Sequence, residues 1–245
     1  MKELLGTYQK ALDDNKIETF VDELTAKSAE FNTVINLKRI FGLIDLTTLH
    51  VTDNKEKVVP LCRKINNFHD VPRHVGIPNV AAICVYPSLV SFVARELDAR
   101  NVDIASVAGG FPASQTFISV KTAEAKMAVE KGATEIDIVM SVGDFLNHDF
   151  QKVFDEICII KQTIGEAKLK VILETGALKT ANNIRIAALL AMNAGADFIK
   201  TSTGKFTPAA TTEAVFVMCD AIRDFHERTG KKTGIKPAGG IANAA

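Results

Sequence analysis

Short apolar, β-branched runs alternate with helix-like stretches along most of the chain, and this alternation constrains the fold more than any other feature. Each run is separated from the next by enough residues for a crossover helix, which predicts parallel strands. A continuous series of such βα units favours an α/β fold of the (β/α)8 TIM barrel type. The predicted strands are Ile40–Leu46, Ala81–Tyr86, Asp103–Val107, Glu135–Met140, Leu169–Glu174, Asp197–Ser202 and Thr233–Lys236.

Helical spacing of apolar residues also marks the start of the chain. Residues 1–38 carry such a pattern, which predicts two amphipathic helices ahead of the barrel. We therefore predict an N-terminal helical extension over 1–38 and a barrel domain over 39–245. An open doubly wound sheet is the rival fold, but no GxGxxG follows the first strand. The predicted barrel helices are Ser88–Asn101, Ser119–Lys131, Asp149–Ile164, Ala181–Ala194 and Thr211–Thr229.

Charge and composition disfavour several classes of function. The 29 Lys and Arg residues balance 29 Asp and Glu residues, so no surplus positive charge is present to hold a nucleic acid. The four cysteines form no CxxC pair, which predicts reduced thiols in the cytoplasm. The N-terminus lacks the apolar core of a signal peptide, and no apolar run reaches the length of about 18 residues that a membrane span needs. We therefore expect a cytoplasmic protein without a membrane segment.

Polar side chains recur inside strands that a barrel would normally bury on both faces. Side chains alternate along a strand, so Ile136 and Ile138 are predicted to face the helices while Asp137 points into the barrel. The same alternation places further polar side chains inside: Asp45, Cys84, Lys170, Glu174, Lys200 and Lys236. Unpaired charges there would cost several kcal/mol, so such groups are usually functional. A structural ion-pair layer is an alternative interpretation for Asp137, Lys170 and Glu174.

Two of these lysines indicate a specific chemistry. Lys200 and Lys236 are predicted near the C-terminal ends of adjacent strands, where two ammonium groups repel rather than pair. A neighbouring cation and partial burial lower the pKa of an amine, which makes it a free nucleophile at neutral pH. The pattern therefore predicts a lysine that forms a Schiff base.

The loops after these two strands have the composition of a phosphate site. KTSTGK (Lys200–Lys205) and KPAGG (Lys236–Gly240) place small residues and main-chain N–H groups beside each amine. A Walker A loop is excluded because Ile199 stands where its first glycine is required. NTP hydrolysis is therefore not supported.

Seven motifs together resemble the deoxyribose-phosphate aldolase family, in order and at suitable spacing, from about residue 40 onward. The long N-terminal helical segment and VAGGFP are similar to the longer, eukaryote-type members. The resemblance implies a class I lyase that reversibly cleaves 2-deoxy-D-ribose 5-phosphate to acetaldehyde and D-glyceraldehyde 3-phosphate, without cofactor or metal. It is consistent with a homodimer. The motifs are LIDLTTL (Leu43–Leu49), AAICVYP (Ala81–Pro87), ASVAGGFP (Ala105–Pro112), GATEIDIV (Gly132–Val139), ILETG (Ile172–Gly176), AGADFIKTSTGK (Ala194–Lys205) and KPAGG.

The resemblance also implies roles for individual residues. Lys200 would form the Schiff base, Lys236 would lower its pKa, and Asp137 would relay protons with Lys236 and a water. Asp45 would bond sugar hydroxyls, and Cys84 would line the pocket as a packing residue rather than a nucleophile. The implied phosphate ligands are Thr203, Gly204, Lys205, Gly239 and Gly240. The five histidines show no HExxH motif or i, i+4 pairing, which predicts surface positions rather than a metal site.

One departure from the barrel pattern concerns its closure. A (β/α)8 barrel has an eighth strand, whereas only seven are predicted before Ala245. We expect the 245-residue chain alone to be weakly active or poorly soluble, because the edges of the first and seventh strands would be unpaired. The alternatives left open are another sugar-phosphate Schiff-base lyase or isomerase, or an inactive truncated fragment.

Overall fold

A computed structural model describes residues 2–8 and 12–241 of the chain. Within these residues, seven parallel strands form one sheet in the order in which they occur in the sequence. The strands are β1 (Asp45–Thr47), β2 (Ala82–Val85), β3 (Asp103–Ala108), β4 (Glu135–Val139), β5 (Lys168–Ile172), β6 (Phe198–Lys200) and β7 (Gly234–Lys236). The predicted series of βα units is therefore confirmed.

Helices follow the strands and cover the outer face of the sheet. Threonine side chains cap the N-termini of two of the longest helices. Thr180 Oγ1 accepts from the N–H of Asn183, and Thr211 Oγ1 accepts from the N–H of Ala214. The α-helices are α1 (Lys2–Gly6), α2 (Asp14–Ala26), α3 (Val34–Phe41), α4 (Lys55–Asn66), α5 (Val90–Glu96), α6 (Ile118–Glu130), α7 (Val142–Leu146), α8 (Phe150–Ile164), α9 (Thr175–Leu178), α10 (Ala181–Asn193) and α11 (Thr212–Thr229). Short 3-10 helices occur at Ser28–Phe31, Phe68–Asp70, Pro72–His74 and Pro87–Leu89. None of the helices in the described ranges is long and apolar enough to cross a membrane.

The sheet curls so that its first and last strands approach each other. Lys236 of β7 donates to the main-chain oxygen of Leu43 and to Asp45 Oδ1 of β1, at 2.5 and 2.8 Å. Side chains of alternating parity then face either the helices or the interior. Ile136, Ile138 and Val171 pack in the outer core, while a small apolar cluster of Leu49, Ala82, Cys84, Ala105 and Val107 lies inside. The seven strands thus form an incomplete barrel.

The N-terminal helices lie against the outer layer of the barrel. Phe20 of α2 contacts Phe216 of α11 with ring centroids 5.2 Å apart, and Asp14 Oδ1 accepts from the main-chain N–H of Ala181 at 2.8 Å. The helical spacing predicted here is present in α1 and α2, although residues 9–11 lie outside the described part of the chain.

Several boundaries differ from the prediction: the helix predicted to end at Asn101 ends at Glu96, and the strand predicted to end at Ser202 ends at Lys200. The first strand was placed at Ile40–Leu46, but α3 continues to Phe41 and β1 begins only at Asp45. Thr33 caps α3 by accepting from the N–H of Asn36, so the apolar residues that follow continue a helix rather than start a strand. The fifth strand ends at Ile172, two residues before the predicted end at Glu174.

Candidate active site

The barrel interior holds a cluster of charged side chains around Lys170. This lysine is 1% exposed and its ammonium group contacts three carboxylates, those of Asp45, Glu135 and Asp137. The distance is 3.3 Å to Asp45 Oδ2 and 3.1 Å to Asp137 Oδ1. Burial lowers the pKa of Lys170, but the three carboxylates outweigh it and hold the pKa above its ordinary value. Lys170 is therefore a fixed cation at the centre of the site.

Lys200 lies on the other side of Asp137. Its Nζ donates to Asp137 Oδ2 at 2.7 Å, and both residues are buried. Burial lowers the pKa of Lys200, but the Asp137 carboxylate raises it more, so the net shift is upward. Burial likewise raises the pKa of Asp137, yet Lys200 and Lys170 bring it below its usual value. The free protein thus holds Lys200 as an ammonium paired with a carboxylate.

Lys236 occupies the position opposite Lys200 in the register of β6 and β7, as predicted. Its ammonium group, however, turns toward β1 and pairs with Asp45. The Asp137 carboxylate outweighs burial and sets the upward direction of the Lys200 pKa shift, and the effect of Lys236 on this pKa stays a prediction. Asp45, predicted to bond substrate hydroxyls, contacts both Lys236 and Lys170 here.

Cys84 lies inside the barrel on β2 and is fully buried. Burial and the nearby Asp137 carboxylate raise the pKa of its thiol to about 12. A thiol in this environment stays protonated near neutral pH, so it is a poor nucleophile. This agrees with its predicted role as a packing residue.

The two glycine-containing turns that follow β6 and β7 lie against each other. A Cβ added to Gly239 would meet Gly204 Cα at 3.2 Å and Ser202 Oγ at 3.0 Å, so only glycine permits this approach. Gly204, Gly239 and Gly240 also have positive φ angles, of 73°, 91° and 83°. The Ser202 hydroxyl joins the turns by donating to the main-chain oxygen of Ala238 at 2.5 Å. The structure thus brings together the glycines that were predicted to bind phosphate.

Thr203 and Lys205 complete this pair of turns. The Thr203 N–H and hydroxyl both donate to Glu174, and the hydroxyl accepts from the N–H of Lys205 at 3.0 Å. The Lys205 ammonium donates to the main-chain oxygen of Leu49 at 2.7 Å. The alternative interpretation of an ion-pair layer that includes Glu174 does not hold, because Lys170 pairs with Asp45, Glu135 and Asp137 instead. The Glu174 φ of 54° takes the backbone out of the extended conformation, so the alternation of side chains stops before it.

Sequence reasoning underestimated one member of the charged cluster. Glu135 contacts Lys170 and also accepts from Lys168 at 3.1 Å, yet it was not proposed as a site residue. The signal was present, because Glu135 has the same parity on β4 as Asp137. Among the described residues, no group of three or more His, Cys, Asp and Glu side chains is arranged to hold a metal ion. Four of the five histidines are exposed and His74 is half-buried.

Comparisons with known proteins agree with this geometry. The model of the DeoC/LacD family aldolases matches residues 40–245. Human deoxyribose-phosphate aldolase is 45% identical over 85% of this chain and 68% of its own length, and the bovine protein is 46% identical over 82% and 66%.

Solved structures extend the comparison to the fold. The structure of deoxyribose phosphate aldolase from Aeropyrum pernix, described as a unique tetramer, superposes with a TM-score of 0.68 at 27% identity. It covers 83% of this chain and 79% of that one. Triosephosphate isomerase from Bartonella henselae shares only the fold, with a TM-score of 0.52 at 13% identity over 80% and 81% of the two chains. The chain belongs to the DeoC/LacD family of aldolases.

Proposed function

We propose that this protein is a deoxyribose-phosphate aldolase, which cleaves 2-deoxy-D-ribose 5-phosphate reversibly to acetaldehyde and D-glyceraldehyde 3-phosphate through a Schiff base on Lys200. The supporting observation is a buried amine in contact with a buried carboxylate, Asp137, on a strand whose following turn packs against a second glycine turn. The C-terminal ends of barrel strands are where such enzymes place their reacting groups. Human and bovine relatives carry the same activity in their names.

The first chemical step requires a neutral amine. Because the Lys200 ammonium donates to Asp137, transfer of that proton to the carboxylate frees the nitrogen lone pair. The amine then adds to C1 of the open-chain sugar, and Asp137 returns the proton to the carbonyl oxygen to give a carbinolamine. Loss of that hydroxyl as water leaves the protonated Schiff base.

Carbon–carbon cleavage follows from the positive charge on this nitrogen. Removal of the proton from the C3 hydroxyl lets the C2–C3 bond break, and its electrons pass to the iminium nitrogen to form an enamine. Glyceraldehyde 3-phosphate leaves, a proton adds to the enamine carbon, and water hydrolyses the Schiff base to release acetaldehyde. Asp137, with Lys236 and a water, is placed in this proposal as the proton relay.

Borohydride trapping tests the proposal. Reduction in the presence of 2-deoxyribose 5-phosphate is expected to add mass to the peptide that contains Lys200, and Lys200→Ala is expected to abolish both the label and turnover. Lys168→Ala is the matched control. This half-exposed lysine is the first residue of β5, whereas Lys200 is the last residue of β6. A label on Lys236, or on neither lysine, would contradict the assignment. A panel of other sugar phosphates separates this activity from that of another Schiff-base lyase or isomerase.

Several predictions from the sequence stay proposals. We propose residues 1–38 as a helical extension and 39–245 as the catalytic domain, acting in the cytoplasm without a metal ion. We also propose that the protein forms a homodimer, which sedimentation equilibrium would test. The protonated Schiff base that the amine forms serves as the electron sink, so the proposed mechanism uses no Lewis acid.

A further inference from the structure

Glu174 directs a buried carboxylate at the turn that follows β6. It is 6% exposed, and its Oε1 accepts from the main-chain N–H of Thr203 at 3.2 Å. Its Oε2 accepts from the Thr203 hydroxyl at 2.6 Å. Among the described residues, no basic side chain lies within salt-bridge distance of this carboxylate. Thr203 therefore supplies both of the hydrogen bonds that the structure gives to the Glu174 carboxylate.

The contact extends through Thr203 into the turn. Because the hydroxyl hydrogen points to Glu174, an oxygen lone pair is left for the N–H of Lys205, which donates to it at 3.0 Å. Gly204, between the two, has a φ of 73°. The carboxylate thus fixes the rotamer of Thr203 and, through it, the shape of the turn Thr203–Gly204–Lys205.

The backbone around Glu174 is held in an unusual conformation to make this contact. Its φ and ψ of 54° and 57° lie in the left-handed region, which is strained for a residue with a side chain. The next residues keep it there: the N–H of Thr175 donates to the main-chain oxygen of Thr201 at 2.9 Å. Gly176 lies so close to Pro208 that an added Cβ would overlap its carbonyl oxygen. Strain maintained at the C-terminal end of a barrel strand indicates a functional role.

We propose that Glu174 is a positioning residue for the substrate phosphate, an inference that rests on the proposed function. It shapes the turn after β6 through Thr203 and occupies both Thr203 donors. Thr203, which the family resemblance implies as a phosphate ligand, would thus shape the phosphate site instead of binding the phosphate directly. The phosphate is then held by Gly204, Gly239, Gly240 and the Lys205 ammonium group, which has donors left beside its contact with Leu49.

Substrates with and without the phosphate separate this role from a general loss of structure. We expect Glu174→Gln to raise the KM for 2-deoxyribose 5-phosphate about tenfold with little change in kcat, since an amide accepts only one of the two Thr203 hydrogen bonds. The kcat/KM for unphosphorylated 2-deoxyribose is expected to stay within about twofold of the wild type. Glu166→Gln, an exposed carboxylate near the start of β5, is the matched control.

Variants of Thr203 test the route of the effect. Thr203→Val is expected to raise the KM as Glu174→Gln does, and Thr203→Ser to leave it unchanged. In the Thr203→Val background, Glu174→Gln is expected to add less than about twofold, because residues in one hydrogen-bonded network are not additive. If Glu174→Gln fails to fold, Thr203→Val alone decides the proposal. Equal losses for both sugars would overturn it.

Binding of inorganic phosphate, followed by isothermal titration calorimetry, keeps this inference distinct from the proposed function. Weaker phosphate binding by Glu174→Gln supports the positioning role whether or not the wild type cleaves the sugar. Unchanged or tighter binding overturns it, since removing a negative charge would tighten binding if repulsion by the carboxylate were dominant. A wild-type protein that binds phosphate but cleaves neither sugar would overturn the proposed function alone.

Discussion

Replacing Asp137 with Asn removes one charge at the centre of the site and leaves its shape intact. The carboxylate is fully buried and accepts from Lys200 at 2.7 Å and from Lys170 at 3.1 Å. An asparagine keeps one acceptor oxygen but offers an N–H₂ group to the second ammonium. The substitution therefore tests the proton transfer without emptying the space that the side chain fills.

The structure sets the expected size of the effect. Lys170 retains Glu135 and Asp45 as partners, whereas Lys200 has no second carboxylate within salt-bridge distance among the described residues. Removing one partner of a buried pair costs about 3 to 5 kcal/mol of stability, and we expect about 3 kcal/mol because the cation at Lys170 stays paired. Turnover is expected to fall by roughly 10²-fold or more with little change in KM, the scale of a positioned acid–base group.

The same substitution is expected to make Schiff-base formation easier at low pH, although it slows turnover. Asp137 is the main cause that raises the pKa of Lys200, so without it burial lowers this pKa. An amine is nucleophilic above its pKa, and a lower pKa moves Schiff-base formation to lower pH. Borohydride trapping at neutral pH is therefore expected to persist in Asp137→Asn, and its pH profile to shift toward acid, although turnover falls.

Turnover, trapping and thermal unfolding are measured on the same preparations. Asp144→Asn is the control, because its contact with Lys152 lies at the surface and outside the barrel. An Asp137→Asn protein that turns over within about twofold of the wild type would make Asp137 structural. Loss of trapping together with normal stability would show that proton transfer from Lys200 to Asp137 is indispensable for Schiff-base formation, and that a lowered Lys200 pKa does not replace it.

Four further outcomes are expected. Lys170→Met should lower stability by about 3 to 5 kcal/mol in chemical denaturation between about pH 5 and 10, where the carboxylates are ionised and the raised pKa of Lys170 keeps it paired with them. The lowered pKa of Asp137 predicts that stability present above about pH 4 is lost as the pH falls further, which thermal unfolding between pH 5 and 2 would reveal. Iodoacetamide at pH 8 should leave Cys84 unmodified in the folded chain while exposed Cys219 reacts, as mass mapping would show. Dialysis against EDTA should leave the aldolase rate unchanged, and a loss that zinc restores would contradict the Schiff-base mechanism.

The interior position of the charges could be predicted from the sequence, but their pairing could not. Alternation along a strand is fixed by backbone geometry, so Asp137, Lys170 and Lys200 were placed inside correctly. Which ammonium meets which carboxylate depends on register and curvature. Lys200 lies opposite Lys236 in the register, yet it contacts Asp137 two strands away, and Lys236 reaches across to β1.

Local departures from regular structure are the second reason why parts of the structure could not be predicted from the sequence. Glu174 was assigned to the barrel interior by extending the alternation of β5, but a single left-handed residue redirects its side chain to Thr203. Ile40 was assigned to a strand because a short apolar run is compatible with either a strand or a helix. In the structure it lies in α3, the helix that Thr33 caps. Neither feature changes the hydrophobic period from which the prediction was made.

The charge balance of the cluster bears on why a buried lysine with a raised pKa is suited to this chemistry. Asp45, Glu135 and Asp137 face Lys170, Lys200 and Lys236, three carboxylates against three ammonium groups, with Lys168 and Asp103 adding one charge of each sign at the rim. Transfer of the Lys200 proton to Asp137 neutralises both groups, so the neutral amine forms at the cost of a buried ion pair. Once Asp137 has returned the proton, the protonated Schiff base again pairs a positive nitrogen with the carboxylate, so the same carboxylates that disfavour the free amine stabilise the iminium. Interactions that are stronger in the charged intermediate than with the reacting amine favour the chemical step.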